Sequence, residues 1–159
     1  MAIPRLLICG IDPGTTNYGY AILDDRARIV KAGTRRLCKH GSSHAAICTS
    51  VVDVAGALFL DNNVTHVSIE AQMRVSMHCV AAATMTTALL CGCDSQIVHA
   101  TRWRKRLDCD LANAGSHAKN KTNSVDLVKR LYDLVVSDHA ADAILIALGR
   151  LYELQAAAN

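Results

Sequence analysis

Aromatic side chains are scarce here: one tryptophan, one phenylalanine and four tyrosines in 159 residues, 4% of the chain. A core must therefore be built from Ala, Val, Leu, Ile and Cys. Proline occurs twice and charged residues make up only 19%, against 51% apolar, a balance that excludes extended disorder. The formal charge of +3 is too small to identify a nucleic-acid partner by itself. Seven cysteines (9, 38, 48, 79, 91, 93 and 109) contain no C-x-x-C pair, and an odd number cannot pair fully within one chain. They are expected to be reduced structural thiols in a cytoplasmic or other reducing compartment. Cys91-Gly-Cys93 with His78 or His99 is a weaker, metal-binding alternative.

Targeting signals are also lacking. Pro4 and Arg5 interrupt the N-terminus and Asp12 ends its apolar run early, so no signal peptide is expected. The longest apolar stretch, around 79–91, is too short to cross a bilayer, so no membrane partner is expected. There are no internal repeats and no Gly-x-Ser-x-Gly. His40, His44, His66, His78, His99 and His117 show no triad or metal spacing. Residues 1–159 read as one domain.

The elements follow from periodicity. RLLICGI (5–11) is apolar on both faces, as a central strand should be. Pro13-Gly14 signals a turn, YGYAILD (18–24) a second strand, Asp24-Asp25 a tight turn and 27–35 a third strand, the three joined as antiparallel hairpins. From Ser42 the apolar spacing becomes helical and stops at Asn62-Asn63. A strand is expected over 64–70, a helix over 75–91, a strand over 95–100, then helices over about 122–136 and 138–156, with Ser137 capping the last. The order β-β-β-α-β-α-β-α-α is that of an α/β, ribonuclease-H-like domain: a five-stranded mixed sheet flanked by helices.

Acidic residues are few, so their positions carry information. Asp12 ends the first strand, Glu70 ends the fourth, and His139 and Asp142 lie three apart on one face at the start of the last helix, beside Asp138. Strands 1 and 4 are expected to be adjacent and parallel, which brings Asp12 and Glu70 to one edge. Taken singly, an Asp before Pro-Gly is an ordinary turn former, a strand-end Glu is ordinarily solvated, and an Asp-His pair ordinarily caps a helix. Taken together they make a ligand set for hard divalent ions, and two such ions about 4 Å apart hold the attacking water and leaving oxygen of a phosphodiester.

GIDPGTTNYGYAI, SIEAQMR and SDHAADAILIAL, in that order over nearly the whole chain, resemble the RuvC-type Holliday junction resolvases. The second motif is closer to the poxvirus and fungal mitochondrial resolvases. The family carries either Asp or His three residues before its final Asp, so His139 falls within its range. The resemblance implies a Mg²⁺-dependent endonuclease, with Mn²⁺ able to substitute and two ions per site. Asp12, Glu70 and Asp142 would be ligands, with His139 on or beside the second ion. The Gly-Thr-Thr turn also occurs in actin-like and Hsp70-like ATPases, but those need two such domains and a second phosphate loop that this chain does not contain.

TRWRKRL (101–107) surrounds the single tryptophan with cations. It reads either as a solvated helix face over a buried Trp or as a phosphate contact through Arg102, Arg104 and Lys105. Arg74 is a further contact candidate. In RuvC-like resolvases lysines near the penultimate helix assist binding and catalysis, which points by location to Lys119 or Lys121. The expected partner is branched DNA, the four-way junction. Its two-fold symmetry suggests a homodimer, with Met77, Ala81, Thr84, Met85 and Ala88 as the stripe facing the partner. The competing readings are a ribonuclease H or another nuclease of this fold, and a non-catalytic module that binds branched DNA.

Overall fold

The computed structural model describes residues 5–107 and 117–158, with the backbone alone for 117–122. Ten elements follow one another: β1 (Leu7–Pro13), β2 (Asn17–Asp24), β3 (Ile29–Arg36), α1 (His44–Asp61), β4 (His66–Glu70), α2 (Val75–Leu90), β5 (Asp94–Val98), α3 (Ala100–Arg106), α4 (His117–Tyr132) and α5 (Asp138–Ala158). The sheet order is β3-β2-β1-β4-β5. The first three strands are antiparallel, and β1–β4 and β4–β5 are parallel, as the hairpin and crossover lengths require. Two expectations need correction. TRWRKR forms a separate helix, α3, that the periodicity did not resolve as an element. The penultimate helix runs from 117 to 132 rather than from 122 to 136.

Alternation along the central strands feeds two cores. Cys9, Ile11, Tyr18, Tyr20 and Ile22 face α1 and α2. Ile8, Ala21 and Leu23 face α5, with Trp103 and Val128 closing that layer. α5 is buried almost continuously from Ala140 to Leu148 because it lies across β1 and β2. Two glycines permit that approach. A Cβ on Gly10 would fall 2.1 Å from the Ala143 carbonyl oxygen, and one on Gly19 would fall 2.3 Å from that of His139. The start of α5 is thus drawn onto the strand end that carries Asp12.

Ser137 caps α5 as read, and Ser43 caps α1. Ser43 Oγ accepts from Ala46 N–H, and Ser137 Oγ accepts from Ala140 N–H. Six of the cysteines are free thiols, and Cys109 lies outside the described residues. Asp24 closes the second turn with a buried carboxylate that accepts from Arg26 N–H, Arg28 N–H, Arg28 Nε and Arg5 Nη2. These bonds hold its pKa well below the ordinary carboxylate range, against the desolvation that would raise it.

The expected partner-facing stripe of α2 is corrected as well. Ala81, Thr84 and Ala88 are buried within the chain, Met85 packs on the same core, and Tyr18 donates to Thr84 Oγ1, which donates onward to the Val80 carbonyl. The exposed side of α2 instead carries Val75, Ala82, Thr86, Leu89 and Leu90. α1, not the stretch 79–91, is the helix long and apolar enough to cross a bilayer by composition, with mean hydropathy 1.4. Its Ile47, Val51, Ala55, Leu58 and Phe59 are packed into the core.

Candidate active site

Register brings the first two acids together. Ile11 pairs with Ile69 across the parallel β1–β4 ladder, so Asp12 and Glu70 follow as neighbours at one sheet edge. α5 crosses that edge and adds His139 and Asp142 from its first turns. All four side chains line one open cleft of about 580 Å³, with Arg74 and Arg104 also on its walls. Its rim is the segment 71–74, tied to α2 by a hydrogen bond between His78 Nε2 and the Gln72 carbonyl oxygen at 2.6 Å.

Inside the cleft His139 Nδ1 meets Asp12 Oδ2 at 2.7 Å. Glu70 and Asp142 are buried. The Glu70 carboxyl is pushed up to about 8, first by burial and then by the charges of Asp12 and Asp142, with Arg104 and the Trp103 hydrogen bond pulling the other way. Three carboxylates and an imidazole are the donor types hard divalent cations take when open positions remain for substrate. As placed, no three His, Cys, Asp or Glu side chains among the described residues are gathered closely enough to hold an ion without adjustment.

The basic residues divide. Arg74 is the exposed N-cap residue of α2 at the cleft, and Arg104 reaches the cleft from α3 with its guanidinium 4.8 Å from the Trp103 ring centroid. Arg102 lies two residues earlier on the helix, hence on nearly the opposite face, and is ion-paired with Glu153. Lys105 is exposed on α3 and is not among the residues lining the cleft. The side chains of Lys119 and Lys121 lie outside the described residues. The feature that residue patterns did not reveal is Trp103, whose indole N–H donates to Glu70 Oε1 at 3.3 Å. Its position between cations signalled a buried ring but gave no direction for its N–H.

No family model and no curated protein sequence matches the chain. Solved structures do. The Thermus thermophilus RuvC structure is similar at a TM-score of 0.75 with 15% identity, covering 96% of this chain and 97% of that one. T. thermophilus RuvC in complex with Holliday junction substrate is similar at 0.74 with 15% identity, over 95% and 96%. The yeast mitochondrial Holliday junction resolvase Ydc2 is similar at 0.60 with 14% identity, over 94% and 80%. Over nearly its whole length, the chain has the ribonuclease-H-like fold of RuvC.

Proposed function

We propose that this protein is a structure-selective endonuclease that cuts four-way DNA junctions by metal-dependent phosphodiester hydrolysis. The observation that carries the reading is the meeting of Asp12, Glu70, His139 and Asp142, from three separate elements, in one cleft flanked by Arg74 and Arg104. The likeness to a RuvC bound to junction substrate, and to Ydc2, supports the substrate class.

The residues fit a divalent ion. Crowding of Glu70 by two further acids is relieved by a cation, and the cleft is open on the substrate side. Bound there, Mg²⁺ or Mn²⁺ would polarise the phosphodiester and lower the pKa of a water nucleophile. Asp12, Glu70 and Asp142 would hold it, with His139 at or beside a second ion. The rest of the chemistry belongs to the chain. Asp12 meets the His139 ring at Nδ1 and fixes its orientation in the cleft. Arg104 and Arg74 offer guanidinium donors to phosphate oxygens.

A junction has two symmetry-related strands to cut, so a C₂ homodimer would match it with two clefts. The exposed apolar side of α2, bearing Val75, Leu89 and Leu90, supports that assembly. The test is cleavage of a synthetic four-way junction, a linear duplex and an RNA–DNA hybrid in Mg²⁺ and in EDTA. Mg²⁺-dependent cutting of the junction, abolished by Asp12→Asn and by Glu70→Gln, is expected. Faster cutting of the hybrid would make the protein a ribonuclease H, and binding without turnover in any divalent ion would make it a binding module.

A further inference from the structure

Trp103 is the only tryptophan in the chain and sits in the middle of α3, 2% exposed. Its ring packs into the core on the α5 side, and ion pairs at the surface further fasten α3 to the body. Arg102 and Arg106 pair with Glu153, which also accepts from Arg150 Nη1 at 2.9 Å and from Gln96 Nε2 at 3.0 Å. That clamp leaves Trp103 facing inward. Its Cβ rests against Gly149 of α5, where an added Cβ would come within 3.0 Å of it. Its indole N–H ends on Glu70 Oε1.

Among the described residues Trp103 is the one side chain that hydrogen-bonds the Glu70 carboxylate. The chemistry of that donor matters. An Arg or Lys in its place would hold the carboxylate equally well but would neutralise it and compete with a cation. An indole N–H orients the group and leaves the cleft its negative charge. The ring does a second thing. Arg104 lies over its face and acts on Glu70 through space, while its buried Nε has no hydrogen-bond partner among the described residues. The one ring thus holds a cation over its face and a carboxylate at its edge. The N–H takes Glu70 Oε1, and both Glu70 and Arg104 line the cleft.

We propose that Trp103 is the positioning residue of the cleft, fixing Glu70 through its N–H so that the site keeps its divalent-ion affinity. This rests on the reading of the cleft as a divalent-ion site. Because no other tryptophan is present, its emission reports on that site alone.

The experiment uses the full chain without DNA. Titration with MnCl₂ should quench Trp103 emission saturably, MgCl₂ should reverse the quench, and Glu70→Gln should abolish it. Trp103→Phe keeps an aromatic ring and loses the N–H. Calorimetry or Mn²⁺ paramagnetic resonance should find its Mn²⁺ affinity lower by about tenfold, the size expected for one hydrogen bond to a carboxylate. Junction cleavage by that variant should need correspondingly more Mg²⁺ but recover at saturation, a split that lost packing would not produce. Should Trp103→Phe fail to fold, Gly149→Ala presses a methyl on Trp103 while keeping the fluorophore, and its quench should require more Mn²⁺ than the wild type's. Equal Mn²⁺ affinity in wild type and in whichever variant folds overturns the role of Trp103 and leaves the ion site standing. Wild-type Mn²⁺ affinity in Glu70→Gln overturns the ion site, and the proposal with it.

Discussion

Replacing Glu70 by glutamine isolates the cost of ionising a carboxyl that is buried and, beyond that, crowded by Asp12 and Asp142. In metal-free protein the Glu70 carboxyl titrates near 8, against an ordinary value of 4.5. Between those values the folded chain keeps a proton that the unfolded chain has released. The unfolded state is therefore favoured progressively as pH rises through this window, and the contribution levels off above the folded value. Each unit corresponds to about 1.4 kcal/mol, so raising the buffer from about pH 5 to about pH 8.5 should cost on the order of 4 kcal/mol. For a chain of this size that is roughly 10 °C in Tm. Glutamine resembles the protonated acid and never ionises, so Glu70→Gln should lack this fall and should be the more stable protein in EDTA at alkaline pH. Added Mg²⁺ should reverse the order. It stabilises the ionised wild type by about 2.7 kcal/mol at a hundredfold excess over Kd, and the variant by much less. The assay is a set of thermal melts of both proteins across pH, with EDTA and with Mg²⁺. If the two lose stability in parallel in EDTA, the Glu70 carboxyl is neither desolvated nor pressed by Asp12 and Asp142, and the cleft is not the buried, crowded acid site described above.

Gly19→Ala should place a methyl against the His139 carbonyl and displace the start of α5. A loss of about 1–3 kcal/mol by chemical denaturation and a fall in junction cleavage on the order of a hundredfold per folded molecule are expected. Asp24→Asn, at the opposite end of β2 from the cleft, should cost about 2 kcal/mol with cleavage unchanged. Because the Asp24 pKa is lowered by folding, that stabilisation is present above the ordinary carboxylate range and disappears in acid, so wild type and variant should converge in melts at low pH. Leu89→Glu should yield a folded monomer by sedimentation if α2 forms the dimer contact, whereas Ala81→Glu should fail to fold because Ala81 is buried within the chain. A folded Ala81→Glu protein would refute the inward placement of that face.

Local sequence determined the strands and their partners wherever one chemical signal dominated. LLICGI is apolar on both faces and can only be a central strand. Short connections forced the first three strands to be antiparallel, and the crossover through α1 made β4 parallel to β1. Asp12 and Glu70 at one edge followed from that topology. His139 and Asp142 on one helical face followed from a period of 3.6. Tertiary structure alone decided matters for which the sequence carries no polarity. α2 mixes Ala, Thr, Cys and Met on every side, so nothing local distinguishes the stripe that packs inward from the one left exposed, and the docking of α1 and the sheet made that choice. α3 is too short for its periodicity to stand out, and the direction of the Trp103 N–H depends on Gly149 and Glu153, about fifty residues away. The same distant carboxylate decided that Arg102 is occupied while Arg104 faces the cleft. Neighbouring cations in one run look alike until a partner from elsewhere in the chain takes one of them.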